Sequence, residues 1–227
     1  MPTVLITGAN EGLGLQLAIQ YATIGWEVMA ACSDPLDTRL SDKFGELIID
    51  LPYNALKEGS ARNLVDCLDG RAIDVVILNE GISDEDGLLP EAITLAHWRP
   101  IMVANTFAPL HLASLLEPNL RKGELKILTA VSSHAASISR FQEPRRFAYR
   151  ASQSALNQMW RNLSVEWRSW GCICLLLEPG KFRVSNADDQ GLPDTDSVAA
   201  GFRSFITAAN RDHSGRHWAY DGTPIPW

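Results

Sequence analysis

Residues 3–22 read TVLITGANEGLGLQLAIQYA. A β-rich apolar run, Thr3 to Thr7, passes through Gly8, Gly12 and Gly14 into a segment whose apolar residues recur at helical spacing. The first part reads as a buried strand and the second as a helix over 12–24. Glycines in a strand-to-helix turn allow tight turning and close backbone approach, and the start of the helix offers free N–H groups to a pyrophosphate. The GxxxGxG spacing alone is also compatible with a β-α turn that holds nothing.

Outward from this stretch the same alternation continues. The runs WEVMAAC, ELIID, IDVVILN, LKILTAV, CICLLLEP and RHWAY read as strands, and helical patterns cover 57–68, 97–117, 147–168 and roughly 195–209. Most of these strands are continuously hydrophobic, as strands covered on both faces should be. The expectation is an α/β fold: a doubly wound, mostly parallel sheet of about seven strands with helices on both faces, in one domain spanning 1–227. Long loops are expected at 80–96, 134–146 and 181–195; several follow strand C-termini, where open α/β sheets bind ligands.

The totals exclude several classes. The chain has 227 residues, 46% apolar, with a net charge of −7 and no Lys/Arg block, so neither nucleic acid nor an anionic membrane is an expected partner. No apolar run reaches the roughly 18 residues of a membrane span. MPTVLITGAN lacks the basic start of a signal peptide, so a cytoplasmic location is expected. The four cysteines, Cys32, Cys67, Cys172 and Cys174, have no CxxC spacing and no nearby histidine pair; they read as buried thiols, and no metal site is expected.

TGANEGLG (7–14), Asp50-Leu51, Asn79-Glu80-Gly81, Asn105, Ser132-Ser133, YRASQSAL (149–156) and Pro179-Gly180 stand in an order that resembles the short-chain dehydrogenase/reductase family, over nearly the whole chain. The ending YDGTPIPW and the compact length resemble its branch of small, C-factor-like carbonyl reductases. The resemblance implies a Rossmann fold and an NAD(P) cofactor. Gly8, Gly12, Leu13 and Gly14 would hold phosphates and ribose, Asp50 and Leu51 the adenine, and Asn79 and Gly81 its ribose. Pro179, Gly180 and Phe182 would pass the nicotinamide, with Tyr149 and Gln153 at the nicotinamide ribose. It also implies that Tyr149 is the proton donor or acceptor, Ser133 the hydroxyl polarising a carbonyl, and Asn105 the anchor of a relay water. The substrate would be a small carbonyl or alcohol.

The bare residues add to this. Pro109 lies four residues after Asn105 in a helical pattern and lacks the N–H that would bond the Asn105 carbonyl, leaving that oxygen for water. His134, at a loop start, reads as a hydrogen-bonded surface residue rather than a base.

Three departures from the family pattern matter. Where relatives that use NADP carry basic residues near the 2′-phosphate, this chain has Glu11 and Ser33, which leans the expectation to NAD. Glu80 replaces a small residue. Above all, Gln153 stands where the family has a lysine whose charge strengthens the tyrosine as an acid. An amide still donates to a ribose hydroxyl but carries no charge. Arg150 is rotated about 100° from Tyr149 along the helix, and Lys181 and Arg183 read as solvated loop charges.

Two functions follow: a carbonyl-reducing oxidoreductase with weakened catalysis, or a nucleotide-binding or regulatory protein that has lost turnover. The apolar residues Ala148, Ala151, Ala155, Leu156, Met159, Trp160, Leu163 and Trp167 cover about 180° of the Tyr149 helix, more than one sheet face needs. With the family resemblance, this points to a homodimer or homotetramer.

Overall fold

Strand β1, Thr3–Thr7, turns into helix α1, Gly12–Thr23, through left-handed backbone at Gly8 (φ +64°) and Gly12 (φ +50°). A Cβ on Gly14 would lie 2.0 Å from the Gly8 carbonyl oxygen, so the helix can start this close to the strand only because that residue is glycine. The computed structural model describes residues 1–33, 39–84, 87–140, 144–183 and 192–227. The expected loops at 80–96, 134–146 and 181–195 therefore contain residues, 85–86, 141–143 and 184–191, that lie outside the described ones.

The remaining strands are β2 Glu27–Cys32, β3 Ile48–Pro52, β4 Val75–Leu78, β5 Ile127–Val131, β6 Ile173–Glu178, β7 His217–Ala219 and β8 Pro224–Ile225. They form one sheet in the order β3-β2-β1-β4-β5-β6-β7-β8, parallel throughout except for the antiparallel β7–β8 pair. The count is eight where about seven were expected; β8 is two residues long and is set only by pairing with His217 and Trp218.

The helices are α2 Arg39–Phe44, α3 Ser60–Cys67, α4 Leu95–Met102, α5 Ala108–Lys122, α6 Phe147–Glu166 and α7 Thr195–Ala208. Short α2 was not expected. Alternate strand residues feed two cores. Leu5, Met29, Val76, Leu128 and Leu176 meet Leu64 of α3, Leu116 of α5 and Trp160 of α6; Val4, Ile6, Val28, Ile77 and Leu175 meet Leu17 of α1 and Phe202 of α7. Burial on both faces is why the strands read as unbroken apolar runs. Much of the wide apolar face of α6 is spent here, since Ala148, Leu156, Trp160 and Leu163 are buried within the chain. Cys32, Cys172 and Cys174 are buried thiols, whereas Cys67 ends α3 facing water. Among the described residues no helix is long and apolar enough to cross a membrane.

His217, the first residue of β7, is buried in register with Leu176 of β6, with Nδ1 3.5 Å from Asn157 Nδ2. Burial disfavours its charged form and lowers its pKa from 6.5 to about 4; the Glu178 carboxylate opposes this, and Arg140 and His134 add to it. Between those values the unfolded chain binds the proton and the folded chain does not, so stability falls as the pH falls from about 6.5 to about 4 and the contribution is intact above that window. A change in proton affinity of this size corresponds to about 3 kcal/mol. Urea denaturation at pH 7 and pH 4.5 should show His217→Gln losing less stability on acidification than the parent; equal losses would contradict the assignment.

Candidate active site

The end of β1 is tied to the end of β4. The Thr7 hydroxyl accepts from the backbone N–H groups of Asn79 (3.0 Å) and Glu80 (3.1 Å), and Asn79 Nδ2 donates to the Thr7 carbonyl at 3.2 Å. Strand order reverses at β1, and a groove of about 590 Å³ opens there. Gly8, Glu11, Gly12, Leu13, Ser33, Asn79, Glu80, Gly81, Pro179 and Phe182 are in its wall. Two observations fit it to a pyrophosphate. The Glu11 side chain does not cap the start of α1, and a Cβ on Gly12 would meet nothing within 4 Å, so the backbone there is open to a ligand.

Not every expected nucleotide residue lines this groove. Gly14 packs against Gly8 and is buried. Asp50 borders a separate small cavity with Asn10 and Cys32, and the Leu51 side chain is in the core. Gly180 follows Pro179 in left-handed backbone (φ +68°) and is not among the wall residues.

A second cavity of about 190 Å³ shares Asn79, Glu80, Gly81 and Pro179 with the groove and adds Ser83, Asn105, Tyr149 and Gln153. Three of the four expected catalytic residues thus meet in one wall. Asn105 lies in a widened π turn, Val103–Phe107, between α4 and α5, which is the local form taken by the disruption expected from Pro109. Its side chain clasps Ile82 in both directions, accepting from the N–H at 2.7 Å and donating to the carbonyl at 2.8 Å, and also donates to Ser152 Oγ at 3.0 Å. The amide is therefore structural, and any water contact falls to the main-chain carbonyl. Gln153 is buried with Oε1 lacking a hydrogen-bond partner, which suits it to receive a hydroxyl of a bound molecule.

Ser133, the fourth, follows β5 and does not line that cavity. Its Oγ accepts the Ala135 N–H at 3.2 Å, capping the turn 134–136 and leaving the hydroxyl proton for another acceptor. The preceding Ser132 donates to Asn157 at 2.7 Å. His134, read as a surface residue, is half-exposed but paired through Nδ1 with buried Glu178 at 2.8 Å, joining the segments that follow β5 and end β6.

Glu80 neither points to solvent nor is fully satisfied. Oε1 accepts from the Ala55 N–H at 3.4 Å, Oε2 is buried without a partner, and burial raises the carboxyl above its ordinary range against that single bond. The cations weighed from the sequence do not line the cavity: Arg183 donates to the Leu192 carbonyl at 3.0 Å, Arg150 approaches the Ala135 carbonyl at 3.5 Å, and Lys181 is exposed. A residue that sequence reading missed does approach the tyrosine. The Arg146 guanidinium lies 4.4 Å from the centre of the Tyr149 ring. Among the described residues no cluster of His, Cys, Asp or Glu is arranged to hold a metal ion.

This architecture recurs in solved structures. An NADPH-bound carbonyl reductase from chicken fatty liver superposes with a TM-score of 0.90 over 100% of this chain and 94% of its own, at 24% identity, a likeness of fold. A carbonyl reductase from Pseudomonas aeruginosa PAO1, solved in complex with NADP, covers 100% of both chains with a TM-score of 0.85 and 28% identity. In sequence the chain is 34% identical to C-signal of Myxococcus xanthus over 68% of its length and 93% of that protein. The short chain dehydrogenase family model matches residues 2–192. With a glycine turn opening on a groove at the reversal of strand order, and a family match over most of its length, this chain belongs to the short-chain dehydrogenase family.

Proposed function

We propose that the chain is an NAD(P)-dependent oxidoreductase that reduces a small carbonyl compound, with catalysis weakened at position 153. The observation that carries this reading is the continuity of the groove and the smaller cavity, which puts Tyr149, Gln153 and the Asn105 turn at the inner end of a nucleotide-sized cleft. The carbonyl reductases it resembles support the substrate class.

The nicotinamide, when bound, supplies the hydride, and the chain's own residues do the rest. Tyr149 gives its hydroxyl proton to the carbonyl oxygen. Ser133, next to the cavity-lining Ser132 and already accepting from Ala135, keeps its own proton and would polarise the carbonyl by a hydrogen bond to the same oxygen. The Asn105 carbonyl, facing Pro109 where an N–H would otherwise lie, holds the water that returns a proton to Tyr149. Gln153 accepts a ribose hydroxyl at its free Oε1. Reduction uses the tyrosine as a proton donor and oxidation uses it as a base, so a missing cation costs oxidation more.

The second reading, a binding or regulatory protein without turnover, is favoured by the neutral amide at 153 and the carboxyl at 80. Kinetics on a broad panel of aldehydes and ketones separates the two. Tyr149→Phe should abolish reduction, and Gln153→Lys should raise it by up to about tenfold, or ~1.4 kcal/mol, with a larger proportional gain in oxidation. Activity undiminished in Tyr149→Phe would reject the mechanism. No turnover in either the parent or Gln153→Lys, with cofactor still bound, would favour the second reading.

The finer choice of cofactor is NAD. Glu11 and Glu80 both line the groove and none of the described residues in its wall is cationic, so a 2′-phosphate meets carboxylate repulsion there. Quenching of the seven tryptophans on titration should give a lower Kd for NADH than for NADPH. The reverse order at moderate salt would overturn the preference, and binding of neither would end the enzyme reading.

We further propose a homodimer or homotetramer in the cytoplasm, built where the α5 and α6 side of the molecule leaves Phe107, Phe147 and Val165 exposed. Light scattering at micromolar concentration should return more than the monomer mass of 25.0 kDa.

A further inference from the structure

We propose that Arg146 supplies to Tyr149 the positive charge that position 153 lacks, held over the ring from the turn before α6 instead of from one turn after. The inference rests on the reading of Tyr149 as the proton donor.

The backbone is bent to achieve this placement. Arg145 (φ +72°) and Arg146 (φ +55°) are consecutive non-glycine residues in the left-handed region, a strained arrangement that persists only where surrounding contacts hold it. Those contacts are present. Arg146 Nη2 donates to Ser83 Oγ at 2.8 Å and Nε donates to the Asp84 carbonyl at 3.2 Å. Both anchors lie just beyond Asn79-Glu80-Gly81, and Ser83 lines the same cavity as Tyr149 and Gln153. The guanidinium is thus fixed at two points, with its carbon 4.4 Å from the ring centre, within the range of a cation–π contact.

This geometry acts on the proton transfer itself. During reduction the Tyr149 O–H bond breaks, an O–H bond forms on the former carbonyl oxygen, and the carbonyl carbon accepts the hydride. The tyrosine is left as a phenolate until water at the Asn105 carbonyl reprotonates it. Phenolate charge spreads onto the ring carbons, so a cation over the face favours that form more than the neutral ring. Arginine stays charged at any working pH, and its flat group can stack where an ammonium cannot. Other charged groups nearby are Glu80 in the same cavity, Asp84 paired with His97 at 3.3 Å, and Arg145 and Arg150 on the same segment and helix.

The test follows Tyr149 ionisation directly, by ultraviolet difference titration of each protein against its Tyr149→Phe counterpart, beside NADH-dependent reduction of para-nitrobenzaldehyde. Arg146→Gln should move the Tyr149 signal to higher pH by roughly 0.5–1.5 pH units and lower kcat by about 3–30-fold with little change in KM. Arg146→Lys should recover part of both. Adding Gln153→Lys to Arg146→Gln should recover them too, with a larger gain than the same lysine brings to the parent, because the charge returns from the other side. Ser83→Ala, which frees one anchor and leaves the backbone alone, should shift the signal in the same direction by less, and decides the matter if Arg146→Gln does not fold. An unmoved titration, or a shift that Gln153→Lys does not reverse, would overturn the proposal and leave Arg146 as a structural brace. Full activity in Tyr149→Phe would instead strike at the mechanism on which it rests.

Discussion

The hydroxyl of Thr7 is the joint on which the molecule turns. By accepting from the N–H groups of Asn79 and Glu80 it fastens the last residue of β1 to the residues that follow β4, across the line where strand order reverses. A polar atom is needed there because two backbone donors leave the sheet at the same point and would otherwise be unpaired. Gly14 completes the joint by bearing no Cβ, since one would lie 2.0 Å from the Gly8 carbonyl and 2.7 Å from Asn79 Nδ2. The groove, the open start of α1 and the cavity behind it all depend on this knot.

A second constraint fixes the inner end. Pro109 removes an N–H from the helix that carries Asn105, and the backbone widens into a π turn one residue before α5 begins. The Asn105 amide is thereby turned toward Ile82, whose N–H and carbonyl it satisfies together, and toward Ser152 in α6. That side chain bonds the segment after β4 to the helix bearing Tyr149 and Gln153. Loss of the clasp would loosen the Tyr149 helix against the same segment that anchors Arg146.

The fold was largely legible because its two cores demand apolar residues on both faces of nearly every strand, so unbroken runs such as VVIL and ICLLLE have few other readings. What escaped was set by tertiary contact. β8 exists through its register with β7, and α2 is too short to show a period. In the site, Tyr149, Gln153 and Asn105 fell where a helical pattern and a resemblance could put them. The pairing of His134 with Glu178 links residues far apart in sequence, and composition carries no trace of it. Arg146 was the least visible. Arginine has no preference for left-handed backbone, and its conformation is maintained by Ser83 and the Asp84 carbonyl.

Charge is distributed unevenly along the cleft, and this bears on how a nucleotide of the proposed kind would be held. The outer groove has Glu11 and Glu80 in its wall, with no cation among the described residues there, whereas a guanidinium lies over the Tyr149 ring at the inner end. Burial raises the Glu80 carboxyl above its ordinary range, opposed by the bond from the Ala55 N–H. Attraction for a pyrophosphate then comes from the uncapped N–H groups of α1, which are fixed dipoles needing no side-chain ordering. Such a groove relies on close backbone approach more than on charge, which returns the requirement to Gly8, Gly12 and Gly14 and to the hydroxyl that holds β1 and β4 together.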